Sequence, residues 1–87
     1  MVLEGRTYVS NRLTGIKTVE FPSDGMKFTQ VLEKCLIEVC KLLDIPVPMW
    51  FEKNTHEFAA FHQTIFFSDQ YTEDVKFDKF IIKMLES

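Results

Sequence analysis

The sequence predicts an α+β domain: a small antiparallel sheet, built from an N-terminal hairpin and a C-terminal strand, packed against one long amphipathic helix and a short second helix. Three observations predict it. Two β-prone runs near the N-terminus flank a cluster of turn residues. An apolar 3, 4, 7 pattern then runs from Met26 to Leu43. β-Branched and aromatic residues return near the C-terminus. With 87 residues the expectation is a single domain spanning the whole chain. A chain this short buries about 60–65% of the surface it exposes unfolded, so its core is of marginal stability and dimerisation is a common remedy.

The elements follow in order. Thr7-Tyr8-Val9 is the first β-prone run and Ile16 to Phe21 the second, with turn residues from Ser10 to Gly15 between them. Pro22 to Gly25 reads as a turn in which Ser23 or Asp24 caps the next helix. Phe28, Val31, Leu32, Cys35, Leu36 and Val39 then recur on one helical face, and with Leu42 and Leu43 they fill an arc of about 140°. Ile37 points away from that arc, where it would matter only for self-association. Pro46 stops the helix, and Ile45 to Trp50 reads as an extended connector. Asn54-Thr55-His56-Glu57 resembles a capping box with Asn54 in the capping place, opening a short helix from Thr55 to Gln63. Ser68-Asp69-Gln70 caps a further turn before Tyr71. In Val75 to Leu85, Phe77, Phe80, Ile81 and Met84 fit a helix, whereas Phe80, Ile82 and Met84 alternate as in a strand. The strand is the expectation, because a lone hairpin is marginal and a third strand completes a sheet for the helix to cover.

Composition excludes several functions. Net charge is −3, all of it in the second half, and Asn54 to Val75 contains no Lys or Arg. No basic face is visible, so no nucleic-acid partner is expected; Arg6, Arg12 and Lys17 on the hairpin are too few for strong phosphate binding. The acidic half suits a cationic partner instead. No segment is apolar enough to span a bilayer and no signal-peptide pattern is present, so the expected location is the cytoplasm, with no membrane partner. The three glycines leave no phosphate-cradling loop, dinucleotide fingerprint or nucleophile elbow.

Candidate chemistry is sparse. His56-Glu57-Phe58-Ala59-Ala60-Phe61-His62 invites comparison with the zinc-protease helix, but its histidines are six apart, about 240° around a helix, and cannot share one metal. His56 is expected in solvent and His62 against Phe58 and Phe61. Cys35 and Cys40 are five apart and cannot pair; the first reads as a small buried hydrophobe. Neither sits at a helix N-terminus, where a nucleophilic thiol is favoured. Asp69, Glu73, Asp74 and Asp78 lack the glycine of a calcium loop and read as a solvated face. No metal and no cofactor is expected.

The remaining signal is aromatic. Seven of the nine phenylalanines lie from Phe51 to Phe80, joined by Trp50 and Tyr71. Phe66 and Phe67 are consecutive, so in an extended stretch at least one ring reaches a surface. The expected function is a non-catalytic interaction or self-association module, a homodimer or a binder of a protein partner. Its surface would be an aromatic, acidic-rimmed one made of Trp50, Phe51, Phe58, Phe61, His62, Phe66, Phe67 and Tyr71. The alternative is a small ligand binder or enzyme whose aromatic pocket uses His62 as its polar or acid–base group.

Overall fold

A computed structural model describes residues 1–87. The chain runs β1 (Val2–Val9), β2 (Arg12–Glu20), α1 (Phe28–Leu43), α2 (Glu52–Phe61), β3 (Gln63–Phe67), a 3₁₀ turn (Ser68–Gln70) and β4 (Lys79–Glu86). The strands form one antiparallel sheet in the order β2-β1-β4-β3. The hairpin and the C-terminal strand expected from the sequence are both present, and they pair through β1 and β4. The sheet is larger by one strand, β3, which follows α2 directly and takes Gln63 from the helix expected there.

The hairpin is longer and tighter than its turn-rich sequence implies. Ser10 and Asn11 alone make the turn, with φ of 50° and 64°, the pair of left-handed residues that a two-residue hairpin with right-twisted strands requires. Arg12 to Gly15 therefore belong to β2. The pairing slips between Thr7 and Tyr8, which face Gly15 and Leu13, so Thr14 is the extra, bulged residue. Its hydroxyl donates to the Thr7 carbonyl at 3.1 Å, which satisfies a group at the irregularity.

Alternation along the strands then decides which side is covered. Leu3 and Thr7 of β1, Val19 of β2, Phe80 and Ile82 of β4, and Thr64 and Phe66 of β3 are buried on one face. The helices close that face. α1 lies over β1 and β2, and α2 lies beside β3. The apolar arc of α1 is buried at Val31, Leu32, Cys35, Leu36 and Val39, as its spacing predicts, and Cys40 beside it is buried too; Phe28 and Leu42, at the two ends of the arc, are exposed, as is Ile37. The helix begins at Phe28 rather than Met26. Ser23 and Asp24 do not cap it; the Lys27 N–H donates to Gln30 Oε1 at 3.1 Å instead. It ends on left-handed Asp44, with Asp44 N–H bonded to the Lys41 carbonyl and Ile45 N–H to the Cys40 carbonyl, before Pro46 prevents continuation.

α1 approaches the sheet closely over Gly5. A Cβ there would sit 2.9 Å from Phe80 Cε1 and 3.0 Å from Val39 Cγ2, closer than real Cβ contacts allow. The missing side chain leaves room for the Phe80 ring, which is stacked on Phe66 at a centroid distance of 5.8 Å. Gly5→Ala is therefore expected to lower the unfolding free energy by ~1–3 kcal/mol through overpacking, despite the better backbone propensity of alanine. Urea denaturation followed by circular dichroism measures it.

Candidate functional site

α1 packs on β1 and β2 and α2 beside β3, and a cleft of about 640 Å³ is lined by residues of both helices. Phe28, Leu32 and Leu36 form its α1 wall, Phe58 and His62 its α2 wall, and Trp50 closes one end. Val47 and Pro48 of the connector and Met84 of β4 complete the apolar lining. Phe28 and Phe58 meet across it with ring centroids 6.2 Å apart. Glu33 is the one carboxylate on the wall, and no Lys or Arg lines it.

A buried polar cluster positions the cleft's far wall. Asn54 is fully buried at the third position of α2. Its Oδ1 accepts from Phe51 N–H at 2.8 Å and from Gln70 Nε2 at 3.0 Å, and its Nδ2 donates to Thr64 Oγ1 at 2.8 Å and to the Ile65 carbonyl at 3.2 Å. The Thr64 hydroxyl in turn donates a hydrogen bond to Glu57 Oε1. Asn54 is thus not the residue before the helix; α2 begins at Glu52 behind Phe51, and Asn54 reaches back to satisfy the Phe51 N–H. Glu57 likewise serves Thr64 and β3 rather than the helix start. Gln70 adds a donation to the Met49 carbonyl at 3.2 Å, while Met49 N–H returns to the Gln70 carbonyl at 2.9 Å. The connector is strapped down just before Trp50. That holds the indole against Phe66 at 5.6 Å and Phe58 at 6.0 Å, with Nε1 donating to Thr55 Oγ1 at 2.8 Å.

The aromatic residues singled out by sequence do not make one surface. Trp50, Phe58 and His62 share the cleft. Phe66 lies beneath Trp50 in the core, and Tyr71 is buried against Phe77 at 5.3 Å. Phe51 and Phe61 are exposed outside the cleft, Phe61 to 68%. Phe67 is 45% exposed on the opposite face of the sheet from Phe66, as the alternation of consecutive residues demands. Sequence reasoning missed Phe28, Leu32, Leu36 and Met84 as cleft residues. The width of the α1 arc was the available signal, since it exceeds what the sheet alone covers.

His62 takes the left-handed conformation, φ 57°, that ends α2; its N–H donates to the Phe58 carbonyl and its carbonyl accepts Met84 N–H at 2.8 Å. Its backbone is thereby fixed at the turn into β3, and the residue lines the cleft with Phe58, whereas Phe61 does not. His56 is exposed and stands 3.6 Å from Glu52 across one helical turn. Nowhere do three His, Cys, Asp or Glu side chains converge as a metal cage would require.

Cys35 and Cys40 are free and buried. Burial raises both thiols above their ordinary range, Cys40 to about 12. The Tyr71 hydroxyl is buried without a hydrogen-bond partner and is raised as well, by burial first and by Cys40 second. No family model, curated protein or solved structure matches this chain, so the reading of the cleft rests on its geometry.

Both thiols are expected to react with Ellman's reagent about a hundredfold more slowly in the native protein than in urea, where two are titrated. The same burial fixes a sign for pH. Above pH 9 the unfolded chain releases the Cys40 proton while the folded chain holds it up to about 12, so stability falls across that interval. Denaturation midpoints at pH 8 and pH 10 test it.

Proposed function

We propose that this chain is a non-catalytic interaction domain, and that the α1–α2 cleft receives an apolar segment of a partner protein, a second copy of the chain included. The observation that supports this is an apolar cleft, aromatic at Phe28, Trp50 and Phe58, lined by two helices that pack on different strands. The α1 wall from Phe28 to Leu36 is about 12 Å long at 1.5 Å per residue, which matches two turns of an amphipathic helix laid into a groove. The carboxylate of Glu33 and the absence of cations on the wall favour a segment that is neutral or positive. Both thiols are buried and neither lines the cleft. No helix is long and apolar enough to cross a membrane. Two free thiols suit a reducing compartment, for which we infer the cytoplasm.

A second reading is a small-ligand pocket, with catalysis as its strongest form. It is favoured by His62 standing on the same wall as Trp50 and Phe58, and by a volume within the ~300–1,000 Å³ range of ligand sites. In that reading His62 supplies the polar contact.

Trp50 is the only tryptophan and lines the cleft, so its emission responds to an occupant. The interaction reading expects an apolar helical peptide to shift that emission, and Ala59→Arg, at an exposed position on the α2 wall, to weaken the effect about tenfold or more. His62→Ala leaves peptide binding nearly unchanged. If His62→Ala abolishes a small-molecule signal with which the peptide does not compete, the pocket reading replaces the interaction reading. An emission unmoved by peptide, or moved equally in Ala59→Arg, removes the proposed role of the cleft.

A further inference from the structure

The sheet carries apolar side chains on both faces. The helices close one of them, and the other is not the polar surface that an antiparallel sheet ordinarily turns to water. Leu13, Ile16 and Phe67 are exposed on it, and Val2, Tyr8, Ile65 and Ile81 are half-buried. Charge on this open face is balanced and sorted along the strands. The register sets its side chains in four rows across the sheet. The first, Glu20-Val2-Glu86, is acidic. The second, Thr18-Glu4-Lys83-Gln63, holds one charge of each sign. The third, Ile16-Arg6-Ile81-Ile65, and the fourth, Leu13-Tyr8-Lys79-Phe67, hold cations only. Glu4 and Arg6 are bonded at 2.7 Å, and Lys79 lies 5.2 Å from the centroid of the Tyr8 ring. Lys53 of α2 joins the basic end, its Nζ 4.9 Å from the centroid of the Phe67 ring.

We propose that this face is covered by the same face of a second copy, giving a dimer with two sheets inside and the helices outside. A surface whose opposite charges are matched across its strands and sorted to opposite ends is complementary to itself, whereas a partner of one sign meets its own sign at one end. The charges also select the symmetry. A two-fold axis lying between the sheets and running across the strands reverses the strand direction, so the first row of one copy meets the partner's fourth, and the second meets the third. β1 then lies over β1 and β4 over β4. Glu86 faces the partner's Lys79, and Glu4 faces the partner's Arg6, each pair occurring twice. Val2 meets the partner's Tyr8, and Ile81 meets the alkyl stem of the partner's Lys83, whose ammonium keeps Glu4 as its neighbour across β1 and β4. Sheets packed in this way lie ~10 Å apart with their strands within ~30° of one another, close enough for opposed side chains to meet. An axis along the strands instead gathers Glu20 and Glu86 of both copies at one end and Lys79 of both at the other, which is unfavourable. The proposed dimer leaves the α1–α2 cleft free, because the cleft is on the far side of the sheet.

The test is sedimentation equilibrium of the whole chain at ~100 μM, a concentration at which even a weak specific interface is populated. The wild type is expected to be a dimer. Glu86→Lys and Lys79→Glu each set two like-charge pairs across the axis and are expected to weaken it about tenfold or more. Mixed in equal amounts, the two variants regain the wild-type affinity, because every charge at position 86 then meets its opposite at position 79. Ile16→Lys, at an exposed position, weakens the dimer without moving the circular dichroism spectrum or the urea midpoint. A monomer at this concentration overturns the proposal. So does a dimer that these variants leave intact, or a pair of charge variants that dissociate and do not recover on mixing. A dimer that Ala59→Arg dissociates and the sheet variants do not is assembled through the cleft, which supports the proposed role of the cleft and overturns this one.

Discussion

The buried amide of Asn54 is the interaction on which the rest of the arrangement depends. It makes all four hydrogen bonds open to it: two accepted, from Phe51 and Gln70, and two donated, to Thr64 and Ile65. Those partners belong to the end of the connector, to β3 and to the 3₁₀ turn that follows it, so one side chain ties the start of α2 to the strand and turn after it. Gln70 extends the join to Met49, and Thr64 extends it to Glu57. A fully satisfied network of this kind rigidifies a core, whereas one with a missing partner leaves buried donors and acceptors without water. Its location explains why a short helix of modest amphipathicity sits firmly on the sheet edge.

The cleft is a consequence of this tie. α2 is held to β3 by polar bonds and α1 to β1 and β2 by apolar packing, so nothing draws the helices together along their length; they touch through Phe28 and Phe58. The surplus of aromatic side chains divides accordingly. Phe66, Phe77 and Phe80 fill the core, Trp50 and Phe58 belong to both core and cleft, and Phe67 faces out across the sheet. The cleft wall has a carboxylate and no Lys or Arg.

How much of this was legible in the sequence depends on the range of the signal. α1 was legible because several turns of 3.6-residue periodicity outweigh any local ambiguity. The C-terminal strand was legible only through the argument that a hairpin needs a third strand, and the same logic stopped one strand short. β3 has five residues, begins with Gln63 and Thr64, and follows the helix without a turn signal, so its alternation was too brief to separate from the helical pattern before it. Asn54 misled because Asn-x-x-Glu matches a capping box; which end of that motif an Asn serves is set by Phe51 and by β3, not by spacing. The exposure of one ring of the Phe66-Phe67 pair followed from strand geometry alone. The cleft could not be read, because it is made of residues from separate elements whose placement is a tertiary fact.

The most direct test of this account is a double-mutant cycle on Asn54→Ala and Gln70→Ala by urea denaturation. Asn54→Ala alone is expected to cost about 2–4 kcal/mol, since it orphans several buried partners. The pair is expected to show a coupling of about 1 kcal/mol or more, as directly bonded buried groups do. Additive losses, or a cost for Asn54→Ala below about 0.5 kcal/mol, would mean that apolar packing alone places α2 and that the amide cluster does not hold the cleft open.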